Sequence, residues 1–491
     1  MPKARYPVPM TLRTPDQYVT SLRDGRRVFY RGNLVPDVTT HPVIGRAVRH
    51  ASIDYLMAED PKHSGLAVVE KNGTHRSRYF ATPCSGDDLL KRSQLIETAT
   101  RLGATLVVLI KEIGTDALFA LGNVSSEMDA RLGTHYSDRV RAFHEHCASQ
   151  DLALAVAQTD VKGDRSLGPS ELAARGNPDA YVRIVARRDD GIVVRGMKTH
   201  TSCTTNVNEV IVLPTRAMAE ADADYAVSFA IPVNTPGVTL IASPHGGSER
   251  DDFDHPISSK HKMMETLTIF DDVFVPWDRV FMNGEWQWAG PLALAFVEFH
   301  RFTAISYKLP LVDALVGSAM LLAELNGVER AGHVRDKLSW LIGYAETLRA
   351  LVQASASRFR LHANGTAVPD PLTVNIAKMH FATNYHVAVA RVQDIAGGTL
   401  VTAPAGADLD HPELGDWVRR AMMGKVGTDA VHRLKALNLA SDLTSSDFGG
   451  YQEVLAIHAE GSIEAQKLTI LRQYDGGAAK SYARDLAGID R

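Results

Sequence analysis

The chain has 491 residues, of which 45% are hydrophobic and 22% charged, and a formal net charge of −4. That composition suits a soluble globular protein of two or three domains. No Lys/Arg block stands out, which argues against nucleic acid or anionic lipid as a main partner. The longest apolar runs, such as Leu292–Val297, fall short of the roughly 20 residues that span a bilayer. The N-terminal MPKARYPVPM has no apolar core after its basic residues, so it is not a secretory signal, and a cytoplasmic protein with no membrane partner is expected. Cys84, Cys147 and Cys203 are far apart and form no CxxC pair, which argues against a disulfide framework or an all-cysteine metal site.

A helix is predicted after Thr14, with Pro15 at its first position and Gln17 completing a capping box. Arg27–Tyr30 and Asn33–Val38 read as a short hairpin around Arg31-Gly32. A second helix starts at Ser85, with Asp88 three residues on, and carries Leu89, Ile96, Ala99 and Leu102 on a helical period. Further helical patterns cover 104–121 and 127–149, so residues 1–150 form a mainly helical domain. The character changes at Asp151. Leu152–Gln158, then Tyr181–Arg187 turning at Asp190-Gly191 into Ile192–Arg195, and the runs 210–213, 225–231, 238–241 and 264–275 have the spacing of an antiparallel barrel or sandwich over residues 151–283. From residue 284 onward the pattern is helical, at 306–325, 330–362, 371–395, 413–439 and 462–487, which implies a four-helix-type bundle. The fold class is therefore α+β, in the order helices, β-domain, helices.

No GxGxxG after a strand, Walker loop, HExxH or GxSxG elbow is present. His144 and His146 stand at i, i+2 on different helix faces, a poor metal pair that reads as solvated helix surface. In TDVKGDRS, Lys162 and Arg165 bracket Gly163 with hydroxyls at both ends, which suits phosphates or a polar heterocycle; a charged hairpin loop is the plainer reading. In KTHTSCTT, strand alternation puts Thr199, Thr201 and Cys203 on one face and His200, Ser202 and Thr204 on the other. His300 lies on an apolar helix, where a lone histidine is more often a hydrogen-bonded core residue than a catalyst. Trp286 and Trp288 read as packing residues.

Several stretches together carry a resemblance that runs nearly end to end. TPDQYVTSLRDGRRVFYRGNLVPDVTTHP, GDDLLKRSQLIETATR, IVVRGMKTHTSCTTNVNEVIVLPT and FDDVFVPWDRVF resemble the 4-hydroxyphenylacetate 3-monooxygenase oxygenase family, which includes 4-hydroxybutyryl-CoA dehydratase. TDVKGDRSLGPSE, LNGVERAGHVRDKL, DIAGGTLVTAP and HPELGDW look closer to the dehydratase branch. The resemblance implies an acyl-CoA-dehydrogenase-like fold, a homotetramer, and FAD between the β-domain and the bundle. It places Lys162, Gly163, Asp164 and Arg165 along the flavin with Gln158 and Thr159 beside them. It also brings Thr201 or Ser202 to the flavin ring, and Gly461, Ser462, Ile463 and Glu464 to another part of FAD.

The departures matter as much. The dehydratase branch holds a four-iron cluster with three Cys and one His; the matching positions here are Val108, Glu112, Tyr307 and His300, so no iron–sulfur cluster and no metal is expected. Ala304 stands where that branch has an acid/base phenol, and Glu265 and Glu453 are candidates for its carboxylates. The residues that bind a phenol in the hydroxylase branch fall near Ile113, Ala117 and Val156, which disfavours simple phenols. The implied function is a two-component monooxygenase. It would use reduced FAD from a separate NAD(P)H:flavin reductase and, through a C4a-hydroperoxyflavin, hydroxylate an aromatic or heteroaromatic small molecule, free or linked to CoA or a carrier. His300 would be the base or donor, with Tyr307, Arg301 and Lys308 beside it. The alternatives are a cluster-free FAD-containing acyl-CoA dehydratase or isomerase, and a non-catalytic tetramer.

Overall fold

The structure is a computed structural model that describes residues 12–71, 73–247 and 249–489; the decapeptide MPKARYPVPM lies outside them. The first expected capping box is present: Thr14 Oγ1 accepts from the Gln17 amide at 3.1 Å and Gln17 Oε1 from the Thr14 amide at 2.9 Å, starting the helix Pro15–Ser21. Ser85 likewise caps Gly86–Leu102, its Oγ accepting from the Asp88 amide at 3.2 Å. Between them lie three helices without side-chain caps, Ile44–Ala51, Ile53–Glu59 and Ser64–Ala67, and a hairpin of Val68–Lys71 with Thr74–Ser77. None of these was expected, because uncapped short helices carry no start signal.

The helix expected over 104–121 is a correction. Ala104, Thr105 and Leu109 have φ of 49°, 77° and 67°, and the helix begins only at Glu112 and runs to Leu132. Residues Leu106–Ile110 are buried whatever face they present, so an apolar run there reports burial rather than helical period. Gly133, at φ 69°, then separates this helix from Tyr136–Ser149, which divides the run expected over 127–149.

The central residues form two sheets. One runs in the order Asn33–Leu34, Val28–Tyr30, Val238–Ala242, Glu265–Pro276, Gly191–Ser202, Arg183–Arg187; the other is Val280–Asn283, Val227–Pro232, Glu209–Val212, Leu154–Ala157. Both are mixed, because Val28–Tyr30 pairs parallel with Leu240–Ala242 and Leu154–Ala157 parallel with Glu209–Val212; the expected pairing was antiparallel throughout. The hairpin at Asp190-Gly191 forms as read. Gly191 is required there, since a Cβ would sit 2.2 Å from the Val275 carbonyl oxygen. The second strand continues past Arg195 to Ser202 and slips register at His200 (φ 54°), so that Thr201 faces Thr266 and Lys198 faces Thr268. That bulge breaks the simple alternation expected from Thr199 to Thr204: Thr201 and Cys203 are buried, but so is Thr204.

The helix Ala289–Leu325 continues through Pro310 and packs against Glu112–Leu132, Gly332–Ser357 and Pro371–Ala396. With the turn before it, this stretch is long and apolar enough to cross a membrane, which the runs of residue types did not suggest; most of its apolar window is buried inside the protein. It also carries buried His300, Arg301 and Lys308. The region expected over 413–439 resolves into Gly415–Met422 and Ala430–Thr444, and that over 462–487 into Ile463–Gln473 and Gly477–Ala487. Trp288 is buried under the Arg131 guanidinium, 5.4 Å from its ring centre, and acts as a packing residue.

Candidate functional site

Three helices bring the first group of polar residues together in the core. Asp116, on Glu112–Leu132, accepts from Arg92 at 2.8 Å and from the Thr303 hydroxyl at 3.0 Å through Oδ1. Its Oδ2 lies 3.1 Å from His300 Nδ1. With Nδ1–H donating to the carboxylate, Nε2 of His300 is left with its lone pair, the arrangement that orients an imidazole as base. Phe296 stacks on the ring one turn earlier, at 5.1 Å and 14°.

Arg301, next to His300, and Tyr307 and Lys308, two turns along the same helix, belong to a second group that surrounds Glu460. Tyr307 donates to Glu460 Oε1, and Lys308 Nζ lies 3.0 Å and Lys378 Nζ 3.4 Å from Oε2. Burial alone would raise the Glu460 carboxyl, but the two ammonium groups override it and hold it at about 2. Burial drives Lys308 down to about 7; Glu460 opposes that and the neighbouring Lys378 adds to it. Burial pushes the Tyr307 phenol well up, with Glu460 adding to it. Arg301 donates to the Glu460 carbonyl at 3.0 Å and to Asn375 at 2.6 Å, and Gly461 packs against it, a Cβ there lying 2.8 Å from the guanidinium. Glu460 itself sits at φ 54°, a strained position for a non-glycine residue.

The third group lies on the strands. Glu265 accepts from the Ser202 hydroxyl at 3.0 Å and from Tyr451 at 2.7 Å. Burial raises it to about 7 against both hydrogen bonds. Cys203, next to Ser202, is buried 3.9 Å from the Val108 carbonyl, and burial, then Glu265, pushes its thiol well up. Because the folded Glu265 holds its proton to about 7, above the unfolded carboxyl at about 4.3, the native state binds more protons between those values. This group's contribution is full below pH 4 and lost as pH rises through 7, on the order of 3 kcal/mol. Glu265→Gln is expected to flatten that part of the stability profile, read by urea denaturation at pH 5 and pH 8; an unchanged slope between the two would refute it.

Facing the strands is a cationic loop. Lys162 and Gly163 are consecutive left-handed residues, φ 70° and 53°, with the Lys162 amide 3.3 Å from the Ala180 carbonyl. Among the described residues no carboxylate lies within ion-pair reach of Lys162, Arg165 or Arg216. Burial lowers Lys162, and Arg165 lowers it further. Burial also lowers His200, and Lys162, Arg165 and His458 add to that, so these stretches share one positive field. Cations without a contact ion pair around a glycine turn, with Asp160 acting on Lys162 only at longer range, are a donor set that suits a phosphate.

The remaining expected contacts divide. The Gln158 carbonyl is taken by Lys198 at 2.8 Å and Thr215 at 2.6 Å, and the Thr159 carbonyl by the Thr199 amide at 2.8 Å. Asp164 is turned to Ser166. Thr201 is buried and accepts from Thr268 at 3.1 Å, while Ser202 is committed to Glu265. Ser462 caps Ile463–Gln473 and Glu464 pairs with Lys467 on the surface. Glu453 faces His386 at 3.8 Å. His144 is half-buried instead of lying on a fully solvated surface, its Nε2 2.9 Å from the Phe80 carbonyl. Asp116, Glu460, Lys378, Arg92 and Tyr451 were not singled out; the available signal was a charge inside an apolar helical stretch, as at Asp116 between Ile113 and Leu118.

A four-iron cluster finds no matching donors at the positions the resemblance marks. Val108 has an isopropyl group, Glu112 accepts from Tyr79 at 3.2 Å and from the Lys111 amide at 3.2 Å, and Tyr307 is held by Glu460. Ile113, Ala117 and Val156 are buried and apolar.

Models of the 4-hydroxyphenylacetate 3-hydroxylase N-terminal and C-terminal regions match residues 14–282 and 289–488. The chain is 32% identical to 4-hydroxybutyryl-CoA dehydratase/vinylacetyl-CoA-Delta-isomerase of Clostridium aminobutyricum, over 97% of this chain and all of that protein. It is 30% identical to the 4-hydroxyphenylacetate 3-monooxygenase oxygenase component of Thermus thermophilus, over 90% of each. It also superposes on a crystal structure of a 4-hydroxyphenylacetate 3-monooxygenase oxygenase component complexed with FAD, with a TM-score of 0.87, 27% identity, and coverage of 96% of this chain and 98% of that one. The two matched regions together account for nearly the whole chain, and it belongs to the 4-hydroxyphenylacetate 3-hydroxylase family.

Proposed function

We propose that this chain is the oxygenase of a two-component system, a flavin-dependent monooxygenase that takes reduced FAD from a separate NAD(P)H:flavin reductase and hydroxylates an aromatic or heteroaromatic small molecule. The observation that carries this reading is the donor set. Thiolate positions of the dehydratase branch are replaced by Val108, Glu112 and Tyr307, while the cationic Lys162–Arg165 loop suited to FAD remains. Relatives on the monooxygenase side are named as oxygenase components, which supports a reductase partner. Bound reduced FAD would supply the activation of O2 and the transfer of one oxygen atom.

In this reading Lys162 and Arg165 bind the cofactor phosphates and Gly163 lets the backbone approach. Thr201 and Ser202 border its ring, and Gly461–Glu464 hold a further part of it. His300, held by Asp116, takes a proton from the substrate at Nε2. Tyr307 and Arg301 position Glu460 and its lysines, and the buried walls exclude water. The reading divides the chain into a helical region (1–150), a β-region (151–283) and a helical bundle (284–491), in the acyl-CoA-dehydrogenase-like manner. It also makes the protein a cytoplasmic homotetramer: Gly477–Ala487 has no buried residue in the single chain and exposes Tyr482 and Leu486, a surface suited to a second copy.

The test combines the protein with FAD, a flavin reductase, NADH and O2. Tight binding of reduced FAD and O2-dependent product are expected, and Lys162→Ala or Arg165→Ala should weaken FAD binding by about tenfold or more. Failure of the wild type to bind reduced FAD would sink the reading. A second reading, a cluster-free FAD-containing acyl-CoA dehydratase or isomerase, is favoured by Glu265, a carboxyl poised near 7 for proton transfer. It requires turnover without O2 or NADH.

A further inference from the structure

A third lysine stands beside the cationic loop and takes no part in the chemistry described so far. The side chains of Lys198 and Asp160 are each only 2% exposed, and they face one another at 2.7 Å. The strand Gly191–Ser202 brings them together: Lys198 bridges to Asp160, and the next amide, of Thr199, donates to the Thr159 carbonyl at 2.8 Å. The Lys198 ammonium has three hydrogens and three acceptors, Asp160 Oδ1, the Gln158 carbonyl at 2.8 Å and the Leu213 carbonyl at 2.9 Å. Asp160 Oδ1 also accepts from the Val182 amide at 3.2 Å, and Oδ2 from the Thr215 hydroxyl.

This geometry decides which cation holds the Asp160 charge. Asp160 precedes Lys162 by two residues, and both lysines feel it. Burial lowers Lys198, and Asp160 opposes that. Burial lowers Lys162, Arg165 and Arg216 add to it, and Asp160 again opposes. Yet only Lys198 is in contact with the carboxylate; among the described residues, Lys162 has no carboxylate within ion-pair reach. A buried carboxylate left without its partner is costly, and it draws in the nearest mobile cation. Lys162, two residues on and with a flexible stem, is that cation.

We propose that Lys198 is a positioning residue for phosphate binding: by holding the Asp160 carboxylate, it leaves Lys162 to an incoming anion instead of to its own chain. The proposal rests on the reading of Lys162–Arg165 as the FAD-binding loop and deepens it, since Lys198 and Asp160 act on the cofactor only through Lys162.

Competitive labelling of lysine amines with acetic anhydride across pH 7–11, read by peptide mass spectrometry, tests the charge transfer without any flavin. In Lys198→Gln, Lys162 should titrate at higher pH than in wild type, and its labelling at pH 9 should slow at least threefold, because it now pairs with Asp160. Adding Asp160→Asn should return Lys162 to near wild-type labelling. Anaerobic titration with reduced FAD should follow the same pattern. Lys198→Gln should weaken binding at least tenfold, and Lys198→Gln/Asp160→Asn should bind within about threefold of wild type. A Lys198 that only braces the backbone predicts the reverse for the double variant, which loses a further buried contact and would bind no better than the single one. The double variant has no uncompensated buried charge, so it decides the matter even where the single variant fails to fold. Unchanged Lys162 labelling in Lys198→Gln, or FAD affinity reduced tenfold in the double variant, would overturn the proposal. Unchanged labelling beside tight FAD binding removes this proposal alone. Wild-type protein that shows the labelling shift on substitution but binds no reduced FAD removes only the monooxygenase reading, and the allocation of Asp160 to Lys198 stands.

Discussion

Replacing His300 by glutamine is expected to lower kcat by about 10²- to 10⁴-fold, the usual range for losing a positioned acid/base, while FAD affinity stays near wild type. Glutamine keeps a buried polar group beside Asp116 but has no ring nitrogen that can accept and return a proton. Asp116→Asn is the sharper companion. The carboxylate now accepts from His300 at 3.1 Å while also holding Arg92 at 2.8 Å and Thr303 at 3.0 Å. An amide can instead donate to Nδ1, which places the imidazole proton on Nε2 and removes the base without moving the ring. Asp116→Asn should therefore lower kcat more than KM and shift the acidic limb of the pH–rate profile. A merely structural role for Asp116 would lower stability and leave that limb in place. A His300→Gln enzyme with kcat within about threefold of wild type would remove His300 from the chemistry.

The legible parts of this protein were those whose cause is local. Thr14 and Ser85 announce helices because a capping oxygen and the amide it satisfies lie three residues apart. The turn at Asp190-Gly191 was visible as an Asp-Gly pair between two alternating runs, and the glycine proves necessary because a Cβ would meet the Val275 carbonyl. Lys162 and Arg165 were visible as a pair around a glycine. The stretch 104–111 was misread because a segment buried on every side has no period to report. Asp116 and Glu460 were not found for a different reason. Each is a single carboxylate whose partners lie far along the chain: Arg92 and His300 for the first, Lys308 and Lys378 for the second. Glu460 also depends on a left-handed backbone next to Gly461 that no spacing rule reveals. His300 stood between these cases, since its helix was plain and the carboxylate that orients it was not.

Glu460→Gln should lower unfolding stability by about 3–5 kcal/mol at pH 7, the range for breaking a buried ion pair by removing one partner. The carboxylate is shared by Lys308 at 3.0 Å and Lys378 at 3.4 Å, and it accepts from Tyr307. An amide leaves two buried ammonium groups with no counter-charge. The pH dependence separates this cause from lost packing. Glu460, held at about 2 in the folded chain, contributes stability that is present above its unfolded value near 4.3 and lost as pH falls toward 2. Lys308, driven down to about 7, enters as a cost instead of a gain. The unfolded chain binds its proton up to about 10.4, so the cost of burying the ammonium is full below 7 and fades between 7 and 10. Without Glu460 the lysine loses its proton at lower pH than in wild type, so the deficit of Glu460→Gln relative to wild type should narrow as pH is raised from 5 to 7 and stay level above 7, measured by urea denaturation midpoints. Adding Lys308→Met to Glu460→Gln should recover part of the loss, because removing both members of a buried pair is far less harmful than removing one. If the single variant unfolds at the wild-type midpoint, or the double variant is no better than the single one, Glu460 is not what neutralises the two lysines. The strained backbone at residue 460 would then need another cause.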